Sequence, residues 1–218
     1  KIGNRSIGRN LAISKAKNQI IAITDAGCIP ESNWLEELVT PFNPPSPESG
    51  EGMGVRYKQV DVVSGFYRGL PKNIFQKCLT PYVLVMPDKA GKTEFFPSTR
   101  SMAIKRSVWE KFKFNEKLWH NEDYAYAHTL KEAGYNFYFA SKAIVNWIPK
   151  KNLKEAAWMF TRFAIGDIQS GILRPQVKRL IIRYAIGLYA FFLAIEVRFL
   201  FVPLVSLLVC YLIWSIFK

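Results

Sequence analysis

Three groups of side chains in this 218-residue chain have the types and spacing to do chemistry: Arg9-Asn10, Asp25 and Glu122-Asp123. Asp25 closes the apolar run Ile20 to Ile23 and is followed by Ala26-Gly27. An apolar run bounded by turn residues predicts a strand buried on both faces of an α/β sheet. Its carboxylate then lies at the strand's C-terminal end, where open α/β sheets bind their ligands. A hard oxygen on rigid backbone can ligate a cation that bridges two phosphates. A plain turn aspartate has the same local sequence. Glu122 and Asp123 fall in the first turn of a predicted helix, where acids are favoured by the macrodipole alone. Adjacent helical residues point about 100° apart, so one of the pair can face a substrate while the other orients it. A single positioned carboxylate near a hydroxyl is what a general base requires. Arg9 could grip a diphosphate with its planar fork, or it could be a solvated surface arginine.

Other chemistries are excluded by spacing. Gly91-Lys92-Thr93 lacks the glycine that a P-loop needs five residues earlier, where Met86 stands. His120 and His128 do not form an HExxH zinc pair. Cys28, Cys78 and Cys210 are far apart, fitting a reduced compartment and neither a disulfide frame nor a zinc site. The net charge of +13 comes without a dense basic run or an RNA-binding motif, which argues against nucleic acid as a partner.

The elements that must position these residues follow from periodicity. A helix is predicted over Ser6 to Lys17 and the strand over Ile20 to Ile23. A second helix is predicted over Asn33 to Val39, with Asn33 as its cap and Glu36 completing a capping box. Proline, glycine and serine mark Pro41 to Gly54 as a loop. Further predictions are a strand over Gln59 to Phe66, an amphipathic helix over Asn73 to Val85, a polar loop over Met86 to Ser98 and a short strand over Ser101 to Lys105. Ser107 with Glu110 reads as a capping box over Trp109 and Phe112. Asn121 reads as the cap of a helix running to Ala133, with Gly134 suited to its C-terminal cap, followed by a strand over Phe137 to Ala140. Lys154 to Ile165 reads as a helix with an aromatic face, suited to a bilayer surface.

Half of the residues are hydrophobic, and they are unevenly spread. Phe199 to Phe217 carries no charge. At ~1.5 Å per residue that run approaches the thickness of a bilayer core. With Leu180 to Ile195 it predicts two membrane-spanning helices turning near Glu196 to Pro203, or one span preceded by an interfacial helix. Arg174, Lys178, Arg179 and Arg183 at the entrance favour anionic lipid and a cytoplasmic soluble part. The expected organisation is a soluble domain over residues 1–150, an amphipathic interfacial segment over 151–179 and a membrane segment over 180–218.

Taken in order, GRNLAISKA, IIAITDAGCIPESNWLEEL and SMAIKRSVWEKFKFNEKLWHNEDYAYAHTLKEAGYNFYF resemble the family 2 glycosyltransferases. The resemblance runs from about Ile7 to Val145, with a looser echo in TRFAIGD and the apolar tail. It implies an α/β fold of the GT-A, Rossmann-like type, often membrane-anchored. It implies inverting transfer of a sugar from a nucleotide-diphosphate sugar to a hydroxyl of a lipid-linked or polysaccharide acceptor. By position, Asp25 matches the first acid of the DxD-type motif that holds the donor and a divalent metal, Mg²⁺ or Mn²⁺. Arg9 and Asn10 match an RN signature beside the nucleotide. Glu122 and Asp123 match the ED motif, with Asp123 as catalytic base, and Trp119 and His120 would line the acceptor side. Arg162 and Asp167 match polar positions of the segment leading to the membrane.

Two departures bear on the metal. Gly27 stands where the motif has its second acid, and Asn146-Trp147 stand where a late histidine is often found. The part of the family that builds the first strands and most of the nucleotide pocket has no counterpart here, so an N-terminally truncated fragment is expected. The departures leave open a catalytically degenerate, membrane-bound GT-A scaffold or binding subunit. A nucleotidyltransferase also places acids at strand ends, but no triphosphate-binding basic loop is visible.

Overall fold

The computed structural model describes residues 3–43, 59–86, 96–172, 174–197 and 201–217. Two compact units emerge, Lys1–Gly171 and Ile172–Lys218. The first begins with helix α1 (Arg5–Lys15), strand β1 (Ile20–Ile23), strand β2 (Cys28–Pro30) and helix α2 (Trp34–Val39), which runs into a 3₁₀ turn at Thr40–Phe42. Strand β3 (Val62–Gly69), helix α3 (Ile74–Val83), strand β4 (Met102–Lys105) and helix α4 (Arg106–Lys111) follow. Helix α5 (Glu122–Glu132), strand β5 (Phe137–Trp147) and helix α6 (Leu153–Ser170) complete it.

The five strands form one mixed sheet in the order β1-β4-β3-β5-β2. Only β3 and β5 pair in parallel, and the remaining neighbours are antiparallel. The alternation of side chains along a strand sorts the core onto two faces. Val62, Met102 and Ile104 pack on one face with Ile13 of α1, Trp109 of α4, Phe114, and Tyr126 and Leu130 of α5. Val63 and Ala103, one residue out of phase, pack on the other with Leu38 of α2, Ala140 and Ala143. A third cluster joins Leu79, Leu84 and Trp147 to Ala156 and Met159 of α6.

Several expectations need correcting. Strand β1 is not buried on both faces: it lies at an edge of the described sheet, with Ile21 buried and Ala22 exposed. Asn33 and Ser107 do not cap through their side chains. Helix α4 starts two residues early, with Lys105 at the cap, which moves Ser107 into the helix. Strand β5 extends well past the predicted Ala140, because β3 and β2 offer it partners as far as Trp147. Gly134 does end α5 with a positive φ of 80°. Most of the Pro41 to Gly54 loop and of the Met86 to Ser98 loop, including Gly91-Lys92-Thr93, lies outside the described residues.

The second unit is a pair of helices, α7 (Pro175–Glu196) and α8 (Phe201–Phe217). They fall where membrane spans were expected, but no helix among the described residues is long and apolar enough to cross a membrane. The physical reason differs for each. Helix α7 carries Lys178, Arg179, Arg183 and Glu196. Helix α8 is free of charge but has 17 residues, about 25 Å at ~1.5 Å rise, short of a bilayer core of ~30 Å. Within the pair, Arg183 of α7 donates to Tyr211 Oη of α8 at 3.2 Å.

Candidate functional site

The site is assembled from the start of α1, the β1–β2 turn, the turn before β4, the start of α5, the end of β5 and the inner side of α6. Asn4 caps α1 by accepting from the Ile7 amide. Arg9 then lies one turn in, on the side facing the sheet. Its Nη2 donates to Asp25 Oδ1 at 2.9 Å and its Nη1 to Glu122 Oε1 at 2.5 Å. One guanidinium thus joins two of the acids picked out from sequence, one at the end of β1 and one at the start of α5. Burial works against the charge of Arg9, but the hydrogen bond and charge of Glu122, with Asp25 and Asp123 adding, outweigh it and raise its pKa.

Glu122 is 2 % exposed, and its Oε2 is buried without a hydrogen-bond partner among the described residues. It sits behind Arg9 and orients it. Asp123 points differently, as the 100° step requires. Its Oδ2 accepts from Ser98 Oγ at 2.8 Å, and its Oδ1 accepts from the Tyr124 amide at 2.9 Å. Asp25 Oδ1 also accepts from Thr99 Oγ1 at 3.1 Å. The Cys28 thiol is pushed up to about 11 by burial and by the charge of Asp25, so it stays protonated and is no nucleophile at neutral pH.

Asp25 opens onto a cleft of about 560 Å³. Five cationic side chains line it: Arg5, Arg9, Arg100, Lys150 and Arg162. Asp25 is the single carboxylate among the lining residues. Arg100 is held rigidly, its guanidinium 5.2 Å from the centre of the Tyr67 ring and 5.5 Å from that of Trp147. His120 also lines the cleft, and its pKa is lowered by partial burial and then by the charges of Arg5 and Arg162, against the opposing pull of Glu122. A cleft of this charge is built for an anion with several oxygens, such as a diphosphate.

The far wall is fixed by a joint that periodicity alone does not reveal. Asn121 adopts left-handed backbone, φ 54°, at the start of α5. Its side chain does not cap the helix, as expected from sequence, but reaches α6, where Nδ2 donates to Phe163 O at 2.9 Å and to Asp167 Oδ1 at 2.6 Å. The approach requires Gly166, since a Cβ there would lie 2.8 Å from Asn121 Cγ. This joint holds Met159, Arg162 and Phe163 of α6 against the cleft.

The residues singled out from sequence therefore divide. Arg9, Asp25 and His120 line the cleft, and Glu122 is tied to it through Arg9. Asp123 stands beside it on Ser98. Trp119 is 52 % exposed and is not among the lining residues. Asn10 is placed elsewhere. It is buried, and its four hydrogen bonds go to Trp109 Nε1, the Phe114 amide and carbonyl, and Glu116 Oε1. Ser98, Thr99, Arg100, Arg5 and Lys150 were missed. The only sequence signal for the first three was a small polar cluster just before a strand.

A divalent ion fits these donors in one way. No group of three His, Cys, Asp or Glu side chains able to hold a metal occurs among the described residues. Mg²⁺, however, is commonly held by one or two carboxylates together with substrate phosphates and water. Asp25 can serve as such a ligand, since Oδ1 is taken by Arg9 and Thr99 while Oδ2 faces no hydrogen-bond donor among the described residues.

No protein-family model matches the chain, and no curated protein matches its sequence. Solved structures do match. A mannosyltransferase from Pyrobaculum calidifontis, in complex with GDP-Man and Mn²⁺, aligns with a TM-score of 0.52 at 20% identity, over 77% of this chain and 42% of that one. The fold is similar to that of GT-A glycosyltransferase domains. Glucosyl-3-phosphoglycerate synthase from Mycobacterium tuberculosis, in complex with Mn²⁺, UDP-Glc and phosphoglyceric acid, aligns at a TM-score of 0.45 and 15% identity, over 80% of this chain and 57% of that one. The chain thus spans between two fifths and three fifths of the length of these two structures.

Proposed function

We propose that this chain carries the catalytic side of an inverting glycosyltransferase that uses a nucleotide-diphosphate sugar. The observation that carries the reading is Arg9, which joins Asp25 to Glu122 at the mouth of a cationic cleft, with Asp123 next along α5. The similarity of the fold to GT-A domains agrees with it.

In this reading Arg5, Arg9, Arg100, Lys150 and Arg162 bind the donor's diphosphate and stabilise the charge that grows on it as it leaves. Mg²⁺ or Mn²⁺, held by Asp25 and the diphosphate, would supply further Lewis-acid neutralisation of the leaving group. Asp123 takes the proton from an acceptor hydroxyl as that oxygen attacks the anomeric carbon. The bond from that carbon to the diphosphate oxygen breaks in the same step, and the nucleoside diphosphate departs with the electron pair. A single displacement inverts the anomeric centre and needs no covalent nucleophile.

The acceptor is proposed to be lipid-linked or a glycan made at a membrane, with the site on the cytoplasmic side. The support is the apolar, outward-facing surface of α7 and α8 and the basic residues Arg174, Lys178, Arg179 and Arg183 at its entrance. Attachment of this apolar pair to a bilayer does not require that either helix cross it.

The reading is tested with the full chain and a panel of radiolabelled nucleotide sugars, in vesicles containing polyprenyl phosphate. Label moving to the lipid or to a glycan primer is expected. Donor binding without transfer to any acceptor in the panel would favour the binding-subunit alternative instead.

A further inference from the structure

The two carboxylates assigned to opposite sides of the reaction come from elements far apart in sequence, yet adjacent residues of one short turn hold both. Ser98 Oγ donates to Asp123 Oδ2 at 2.8 Å, and Thr99 Oγ1 donates to Asp25 Oδ1 at 3.1 Å. The next residue, Arg100, presents its guanidinium to the cleft between Tyr67 and Trp147. Nothing in the resemblance assigns a role to any of the three.

The turn is built to hold position. Ser98 and Thr99 are buried, and Thr99 is fully so. The Ser101 amide donates to Ser98 O at 3.0 Å and closes the turn directly onto β4. Thr24 Oγ1 donates to Arg100 O at 2.9 Å, tying the turn to the residue before Asp25. Ser101 Oγ accepts from Trp34 Nε1 at 2.9 Å and donates to Ala143 O at 3.2 Å, so the turn's far end is anchored to α2 and β5. Buried hydroxyls carried on a turn anchored from several sides lose little entropy when they bond a carboxylate, and they fix its rotamer.

We propose that Ser98 and Thr99 are positioning residues that set the base Asp123 and the donor-side Asp25 in one rigid frame. Ser98 acts on the chemical step through Asp123. Thr99 acts on donor binding through Asp25 and, by way of the shared Oδ1, through Arg9. The division follows from the geometry: each hydroxyl reaches one of the two carboxylates. It rests on the glycosyl-transfer reading for the roles of the two acids.

The test compares Ser98→Ala and Thr99→Val with their conservative partners Ser98→Thr and Thr99→Ser, in the full chain. Donor affinity is measured by calorimetry with GDP-mannose and UDP-glucose, and transfer by the radiolabel assay. Ser98→Ala is expected to lower kcat by 10- to 100-fold with donor Kd unchanged, and Ser98→Thr to recover most of it. Thr99→Val is expected to weaken donor Kd by about 5- to 10-fold, with a smaller effect on kcat at saturating donor, and Thr99→Ser to restore it. A turn that merely supports the fold would move both quantities together in both variants, and that result overturns the proposal. So does an unchanged kcat in Ser98→Ala. If the unmodified chain binds donor but transfers nothing, the glycosyl-transfer reading fails, while donor affinity in Thr99→Val still decides the Asp25 half: an unchanged Kd there overturns it.

Discussion

Arg9 Nη2 lies 2.9 Å from Asp25 Oδ1 while its Nη1 lies 2.5 Å from Glu122 Oε1. A single guanidinium therefore joins the end of the first described strand to the start of the helix that carries the proposed base. Glu122 is almost fully buried, so removing Arg9 would leave its charge only the more distant Arg5, 3.9 Å away, as a counter-charge. Breaking one side of such a pair typically costs ~3–5 kcal/mol. With Arg5 still offsetting part of the charge, Arg9→Met should destabilise the chain by up to that amount in urea unfolding. Arg9→Met combined with Glu122→Gln should recover much of the loss, because the buried charge is gone. Donor binding should stay weak in both variants, since the cleft loses a cation. Full recovery of donor affinity in the double variant would contradict a binding role for Arg9.

Asn10 separates what its neighbour combines. Its amide bonds Trp109 Nε1 and both backbone groups of Phe114. Asn10→Ala strands buried donors and an acceptor, at a cost on the order of 3 kcal/mol. We expect a lower urea midpoint with donor Kd unchanged in the folded population. A change in donor affinity with stability intact would return Asn10 to the binding site.

How much of this was legible from sequence varies residue by residue. Asp25 at a strand end, the α5 start at Glu122 and the Gly134 stop were all readable, because each depends on local periodicity and turn chemistry. The partners of Asn10 were not legible because they lie about a hundred residues away, across the core. Ser98 and Thr99 were invisible for the same reason: a serine or threonine before a strand has no pattern that names a carboxylate elsewhere in the fold. The edge position of β1 depends on which strand pairs with which, and an apolar run of four residues does not encode that. The Asn121 cap failed because tertiary hydrogen bonds to α6 outcompeted the local one.

His120 offers a pH handle. In the folded protein its pKa is lowered from the ordinary 6.5 by partial burial and by Arg5 and Arg162. Between that lowered value and 6.5 the unfolded chain holds more protons, so stability rises with pH there. This contribution is fully present above 6.5 and falls away as the pH drops through the window below it. An anion placed between the two arginines offsets their charge and raises the His120 pKa. NMR titration should therefore find His120 below 6.5 in the free protein and higher with inorganic pyrophosphate present. A His120 that titrates at or above 6.5 when free, or is unmoved by pyrophosphate, would contradict a cationic anion site at this position.

Gly166 tests the wall formed by α6. A methyl group there would press on Asn121, with contacts of 2.8–2.9 Å. Overpacking of this kind commonly costs ~1–3 kcal/mol. Gly166→Ala should lower stability by about that much in urea unfolding and weaken donor binding as Arg162 shifts. Unchanged values for both would show that the α5–α6 joint does not shape the cleft.

The central claim is that Asp123 is the base of a sugar transfer whose donor is held by the cleft beside it. The most direct measurement is transfer and donor binding in Asp123→Asn, made in the full chain, where the near-isosteric amide can keep the Ser98 contact. Radiolabel transfer is expected to fall by at least ~10³-fold, in line with loss of a general base, while donor affinity stays within a factor of about two of the unmodified chain. Transfer at an undiminished rate in Asp123→Asn would contradict the claim.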